Sequence, residues 1–107
     1  MTESVQLLAT SGCPSHEEAH TRLLALLHEI GRPDVRVDVV WIESPELAAN
    51  IGFIGSPTFR IGGSDILPPD PNAPTGLNCR VYQRRDGRFS PLPDPDDLRD
   101  AVTEALA

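Results

Sequence analysis

The chain has no lysine: all nine of its positive residues are arginine, set against sixteen acidic side chains for a formal net charge of −7. A surplus of that sign repels phosphate backbones and anionic lipid surfaces, so neither nucleic acid nor a membrane is expected as a partner. The exclusive use of arginine reads as codon bias of a GC-rich genome rather than as chemistry. No stretch approaches the ~20 consecutive apolar residues of a membrane span. The opening MTESVQLLAT lacks a basic n-region and its apolar run is short, so no secretory signal is expected and a cytoplasmic location is. Cysteine is scarce as well, with only Cys13 and Cys79. In a reducing compartment such a pair more often signals reactivity or metal binding than a structural staple. There is no internal repeat and no low-complexity run. A length of 107 residues with a 39% hydrophobic fraction suits one modest core, so a single folded domain is expected.

VQLLAT (5–10) is a short apolar run without polar alternation, the pattern of a strand covered on both faces. Residues 14–30 then place Ala19, Leu23, Leu26, Leu27 and Ile30 on one helical face. Pro14 suits the first helical position, Glu17 and Glu18 the first turn, and Gly31 the stop. VRVDVVWI (35–42) is rich in β-branched residues and predicts a second strand. Ser44 and Pro45 open a short helix that runs to about Ile51 and closes on Gly52. Strand, helix and strand in this order predict a right-handed βαβ unit with a parallel pair. GSPTFRIGG (55–63) carries a third strand. SDILPPDPNAPTGLN (64–78) has no periodicity and reads as a long loop, a feature that in small domains is often functional. CRVYQ (79–83) predicts a fourth strand antiparallel to the third, RDGR a turn, and FSPL a short fifth strand. Asp94 and Pro95 cap a last helix whose inner face carries Leu98, Val102 and Ala105 or Leu106.

The order βαβαββα, the cysteine at the first strand-to-helix junction and Ser-Pro-Thr ahead of the third strand together resemble the thioredoxin-like family, over nearly the whole chain. More narrowly, the chain is similar to short thioredoxin-like proteins of high-GC bacteria in which GCP, GSPT and a later CR(V/L)Y recur, some of them catalogued as alkylmercury-lyase-like. The resemblance implies an α/β, three-layer domain over residues 1–107 with a four- to five-stranded mixed sheet. It also implies a cis peptide bond at Pro57, beside the reactive Cys13. The family's Cys-x-x-Cys is Cys13-Pro14-Ser15-His16 here, so the usual internal disulfide has no second cysteine at that place.

On this reading Cys13 is the cap of the first helix, where unpaired N–H groups and the helix dipole stabilise a thiolate and make it a nucleophile at neutral pH. His16 projects back toward the cap, to donate to the thiolate or to act as its base; otherwise it is a polar first-turn residue in water. Cys79 is either a small buried hydrophobe in its strand or the missing partner. The loop before it, at on the order of 50 Å when extended, has the reach to return it to Cys13. The function expected is a thiol–disulfide oxidoreductase without a cofactor, with Cys13 as nucleophile, Pro57 shaping the backbone that receives the substrate, and Cys79 or an external thiol resolving. Its partner would be a protein or small-molecule thiol or disulfide, and a homodimer is an option. One alternative is a binding module for zinc or mercury, with ligands drawn from Cys13, His16, His20 and Cys79. Another is a non-catalytic scaffold of the same fold. Asp94, Asp96, Asp97 and Asp100 read as an acidic helix start, and Arg80, Arg84, Arg85 and Arg88 as a solvated basic hairpin. The glycines match no phosphate-binding fingerprint.

Overall fold

The computed structural model describes residues 4–107. The chain runs β1 (Val5–Ala9), α1 (His16–Glu29), β2 (Val37–Trp41), α2 (Pro45–Ile51), β3 (Thr58–Ile61), β4 (Ser64–Asp65), β5 (Tyr82–Gln83), β6 (Phe89–Ser90) and α3 (Pro95–Ala105). Four strands form one mixed sheet in the order β2-β1-β3-β4. β1 pairs in parallel with β2, Val5 opposite Val37 and Ala9 opposite Trp41, and antiparallel with β3, Leu7 opposite Phe59. The βαβ unit is therefore present, and the molecule is a mixed α/β fold.

Alternation along β1 divides the interior. Val5 and Leu7 join Phe59 and Ile61 of β3 in a core covered by Ala19, Leu23, Leu26 and Leu27 of α1 and by Leu98 and Val102 of α3. Leu8 points to the opposite face, where Ile42, Ala48 and Phe53 enclose it beneath α2. Helices thus lie on both faces of the sheet, and the strand between them is apolar apart from the partly buried Gln6, because both of its faces are covered. Among the described residues no helix is long and apolar enough to cross a membrane.

Three expectations need correction. The helix read from residue 14 starts at His16, with Ser15 as its cap residue, so Cys13 is not the cap. Cys13 N–H instead closes a turn onto Thr10 O at 3.1 Å, which holds Cys13 and Pro14 outside the helix. The fourth strand of the sheet is Ser64–Asp65, inside the segment read as loop. CRVYQ does not lie antiparallel to β3. Cys79 makes an isolated parallel bridge with Ser56, and Tyr82–Gln83 pairs with Phe89–Ser90 as a separate hairpin. The twin-glycine turn Gly62–Gly63, with φ of 62° and 84°, folds β4 straight back along β3 and leaves the rest of the loop free to return.

The hairpin is tied to α3 by charge. Asp94 caps α3, accepting from Asp96 N–H at 2.9 Å, and accepts from Arg85 N–H at 3.0 Å. Arg85 also reaches Asp97 at 2.7 Å and Asp100 at 2.9 Å, so the acidic helix start and the basic hairpin neutralise one another. The Arg85 and Asp96 N–H groups hold the Asp94 carboxyl below the usual carboxylate range. A carboxylate held low in the folded chain contributes stability above its unfolded-chain pKa, and that contribution is lost as pH falls through the folded-state value. Acid unfolding followed by circular dichroism is expected to show this loss in the wild type, and Asp94→Asn is expected to flatten the pH dependence of stability in that range.

Candidate functional site

The site is built where the returning loop meets the first β-to-α junction. Cys13 lies between the end of β1 and the start of α1 and is 1% exposed. Cys79, 66 residues later, is exposed, and both are free thiols. Their sulfurs are 2.9 Å apart, with Cys79 Sγ–H donating to Cys13 Sγ. Ser56 O stands 3.4 Å from Cys13 Sγ on another side. The Ser56–Pro57 peptide is cis, and Pro57 is fully buried.

The backbone around Ser56 explains how the cysteines meet. Ser56 N–H donates to Asn78 O and Arg80 N–H donates to Ser56 O, both at 2.8 Å. This short ladder fixes residues 78–80 against 56 and points Cys79 at Cys13. The two backbones approach so closely at Gly55 that a Cβ there would sit 2.9 Å from Arg80 N and 3.1 Å from Asn78 O. Only glycine leaves room. The expectation that the backbone beside Pro57 receives a substrate meets a constraint here, because both main-chain groups of Ser56 are already taken by the chain itself.

Arg80 anchors the returning segment and corrects its reading as part of a solvated hairpin. It is 4% exposed. Its guanidinium donates to Asp65 Oδ2 at 2.7 Å, to Thr58 Oγ1 at 3.3 Å and to Leu67 O, and stacks 4.6 Å from the centroid of the Tyr82 ring. Tyr82 in turn donates its hydroxyl to Pro57 O at 2.6 Å. Burial pushes the Tyr82 phenol above its ordinary value, so it remains a donor across the range in which the protein would work. Alternation places Arg80 and Tyr82 inward and Cys79 and Val81 outward.

The two thiols are electrostatically unequal. Burial pushes the Cys13 thiol up, but the Cys79 S–H, the Ser15 N–H and weaker pulls from the Ser56 and Ser15 hydroxyls together outweigh it, leaving Cys13 below the ordinary thiol value. Cys79 is pushed up, first by its hydrogen bond to Cys13, then by desolvation and by the neighbouring charge. The pair therefore loses its first proton at a pH lower than a free thiol would, and that proton comes mainly from Cys13.

His16 does not reach the sulfur. Its Nδ1 donates to Cys13 O at 2.8 Å, which leaves Nε2 as the acceptor of the neutral ring, and the ring packs edge-on against Trp41 at 4.9 Å. It braces the turn that carries Cys13. His20 lies one turn further along α1, and among the described residues no group of three or more His, Cys, Asp or Glu side chains is arranged to hold a metal ion. The four metal candidates are thus not gathered into one set; only the two sulfurs meet. Ser56, Gly55 and Arg80 were not singled out for the site from the sequence. The signal for Arg80 was its i, i+2 spacing from Tyr82, obscured by its charge.

No family model matches the chain, and no curated protein matches it. Among solved structures it is similar to one described as "Structure of a malarial protein", at 14% identity over the whole of both chains and a TM-score of 0.47. A likeness at that level assigns neither a fold family nor an activity.

Two outcomes follow from this geometry. Asp65→Ala leaves the Arg80 charge buried without its carboxylate; because Asp65 is itself partly exposed, a loss of about 2–4 kcal/mol is expected in chemical denaturation, toward the lower end for breaking a buried pair. Gly55→Ala forces residues 78–80 away from Ser56. A thiolate titration by ultraviolet absorbance should then find the first ionisation of the pair shifted upward, toward that of a free thiol.

Proposed function

We propose that the protein is a thioredoxin-like thiol–disulfide oxidoreductase whose redox unit is the Cys13–Cys79 dithiol. The observation that carries this reading is the 2.9 Å separation of two sulfurs far apart in the chain. A mixed sheet with helices on both faces, a cysteine in the turn between β1 and α1 and a cis-proline peptide whose carbonyl adjoins that cysteine support the family part of the reading.

Once the reduced pair has lost its first proton, the thiolate is mainly on Cys13 and Cys79 carries the remaining proton. Reaction with a disulfide R–S–S–R′ of a protein or small molecule passes through a mixed disulfide. It ends in a Cys13–Cys79 bond, with RS⁻ and R′SH released and the Cys79 proton on the second product. The protein loses two electrons and the substrate gains them. Cys13 is the nucleophile that closes the internal bond, since thiolate is the attacking form of sulfur. His16 and the Thr10 turn hold its backbone, and Ser56 with Arg80 holds its partner.

Reduced protein treated with a small disulfide and analysed by intact mass is expected to lose two hydrogens with no adduct retained. Cys13→Ser, which keeps the exposed Cys79 but cannot close the internal bond, should instead retain one adduct. A wild type that keeps both thiols, or retains adducts without closing the internal bond, would overturn the redox reading and leave the fold as a scaffold.

A further inference from the structure

The two sulfurs differ in what can reach them, and this assigns them different roles. Cys13 is 1% exposed, enclosed by the Ser56 carbonyl and by Cys79 itself. Cys79 lies on the outward side of an extended segment, with Leu77 and Val81 exposed on either side of it. Displacement at a disulfide proceeds along the S–S axis, the incoming thiolate approaching from behind the sulfur that it attacks. Cys13 is buried and offers no open approach to its sulfur, whereas Cys79 is exposed to solvent.

Resting on the redox reading above, we infer that external thiols and disulfides are joined to the protein through Cys79, and that Cys13 makes and breaks only the internal bond. In the oxidised protein an incoming RS⁻ attacks Cys79 Sγ. An S–S bond forms between R and Cys79, the Cys13–Cys79 bond breaks, and its electron pair leaves on Cys13 as a thiolate. A second RS⁻ attacks the sulfur of R, forming R–S–S–R and releasing Cys79 as thiolate. Two thiols are oxidised and the protein gains two electrons, to be returned by exchange with a small disulfide. In reverse, the Cys79 proton passes to Cys13 Sγ, 2.9 Å away, and Cys79 as thiolate attacks R–S–S–R, releasing RS⁻; Cys13 gives the proton up to that RS⁻, attacks Cys79 Sγ and displaces the second RS⁻. The lowered pKa of Cys13 supports this direction of cleavage, because the thiol of lower pKa is the better leaving group. The order is opposite to that expected from the sequence, where Cys13 meets the substrate.

The test is site mapping in the intact protein. Wild-type protein oxidised with hydroxyethyl disulfide is mixed briefly with reduced glutathione, quenched in acid, alkylated with N-ethylmaleimide and digested with trypsin. Cleavage after Arg22, Arg60 and Arg80 places the two cysteines on separate peptides. Glutathione is expected on Cys79 and maleimide on Cys13, in ~10-fold or greater excess over the reverse. Glutathione found mainly on Cys13, or equally on both, overturns the assignment. The same mapping on reduced protein given oxidised glutathione reads the entry site even if no internal bond closes. An adduct at Cys79 there supports the assignment and one at Cys13 overturns it, whatever becomes of the redox reading.

Discussion

The guanidinium of Arg80 sits inside the protein, and the arrangement of the second half of the chain follows from satisfying it. A buried cation is tolerated only when it is paired and its donors are used. Here the carboxylate comes from β4, a carbonyl from the residues just beyond it, a hydroxyl from the start of β3 and an aromatic face from β5. Those partners converge only if the proline-rich segment leaves β4, crosses the molecule and returns beside Ser56. The neighbour of Arg80 in the chain is Cys79. An inward Arg80 therefore means an outward Cys79 one position earlier, delivered to Cys13 by the ladder that Gly55 makes room for.

The resulting dithiol is asymmetric in exposure, in protonation and in backbone support. One sulfur is held in a turn braced by His16 and receives hydrogen bonds; the other is held on an extended segment at the surface and gives one. In Cys-x-x-Cys sequences two cysteines share a single turn, so their separation is set locally. The pair here is set by long-range contacts, and its chemistry is coupled to the packing of the Arg80 cluster.

Much of the framework was legible because it is written in local periodicity. The apolar run of β1, the helical stripe Ala19–Leu23–Leu26–Leu27 and the Asp94-Pro95 cap each carry their signal within a few residues. The start of α1 was displaced by two residues because Pro14 fits a first helical position as well as it fits a turn. β4 has two residues, Ser64 and Asp65, with neither β-branching nor apolar character, so its strand state comes from the reversal at Gly62–Gly63 and from pairing with β3. Arg80 was misread because charge outweighed an alternation that placed it on the same side as Tyr82. His16 is expected from its place in the first turn either to act on the sulfur or to lie in water; its ring instead bonds the Cys13 carbonyl and packs edge-on with Trp41.

By itself, the sequence determined the alternating strand and helix order, the acidic surface, and the placement of one cysteine just ahead of a helix and the other beyond a long loop. These depend on propensities and patterns that act over a few residues. Only the tertiary structure decided that the loop returns, that Cys79 rather than His16 meets the sulfur of Cys13, and that the later cysteine is the one facing solvent. Those outcomes depend on contacts between residues dozens of positions apart, above all the need of a buried Arg80 for partners, which no local pattern encodes.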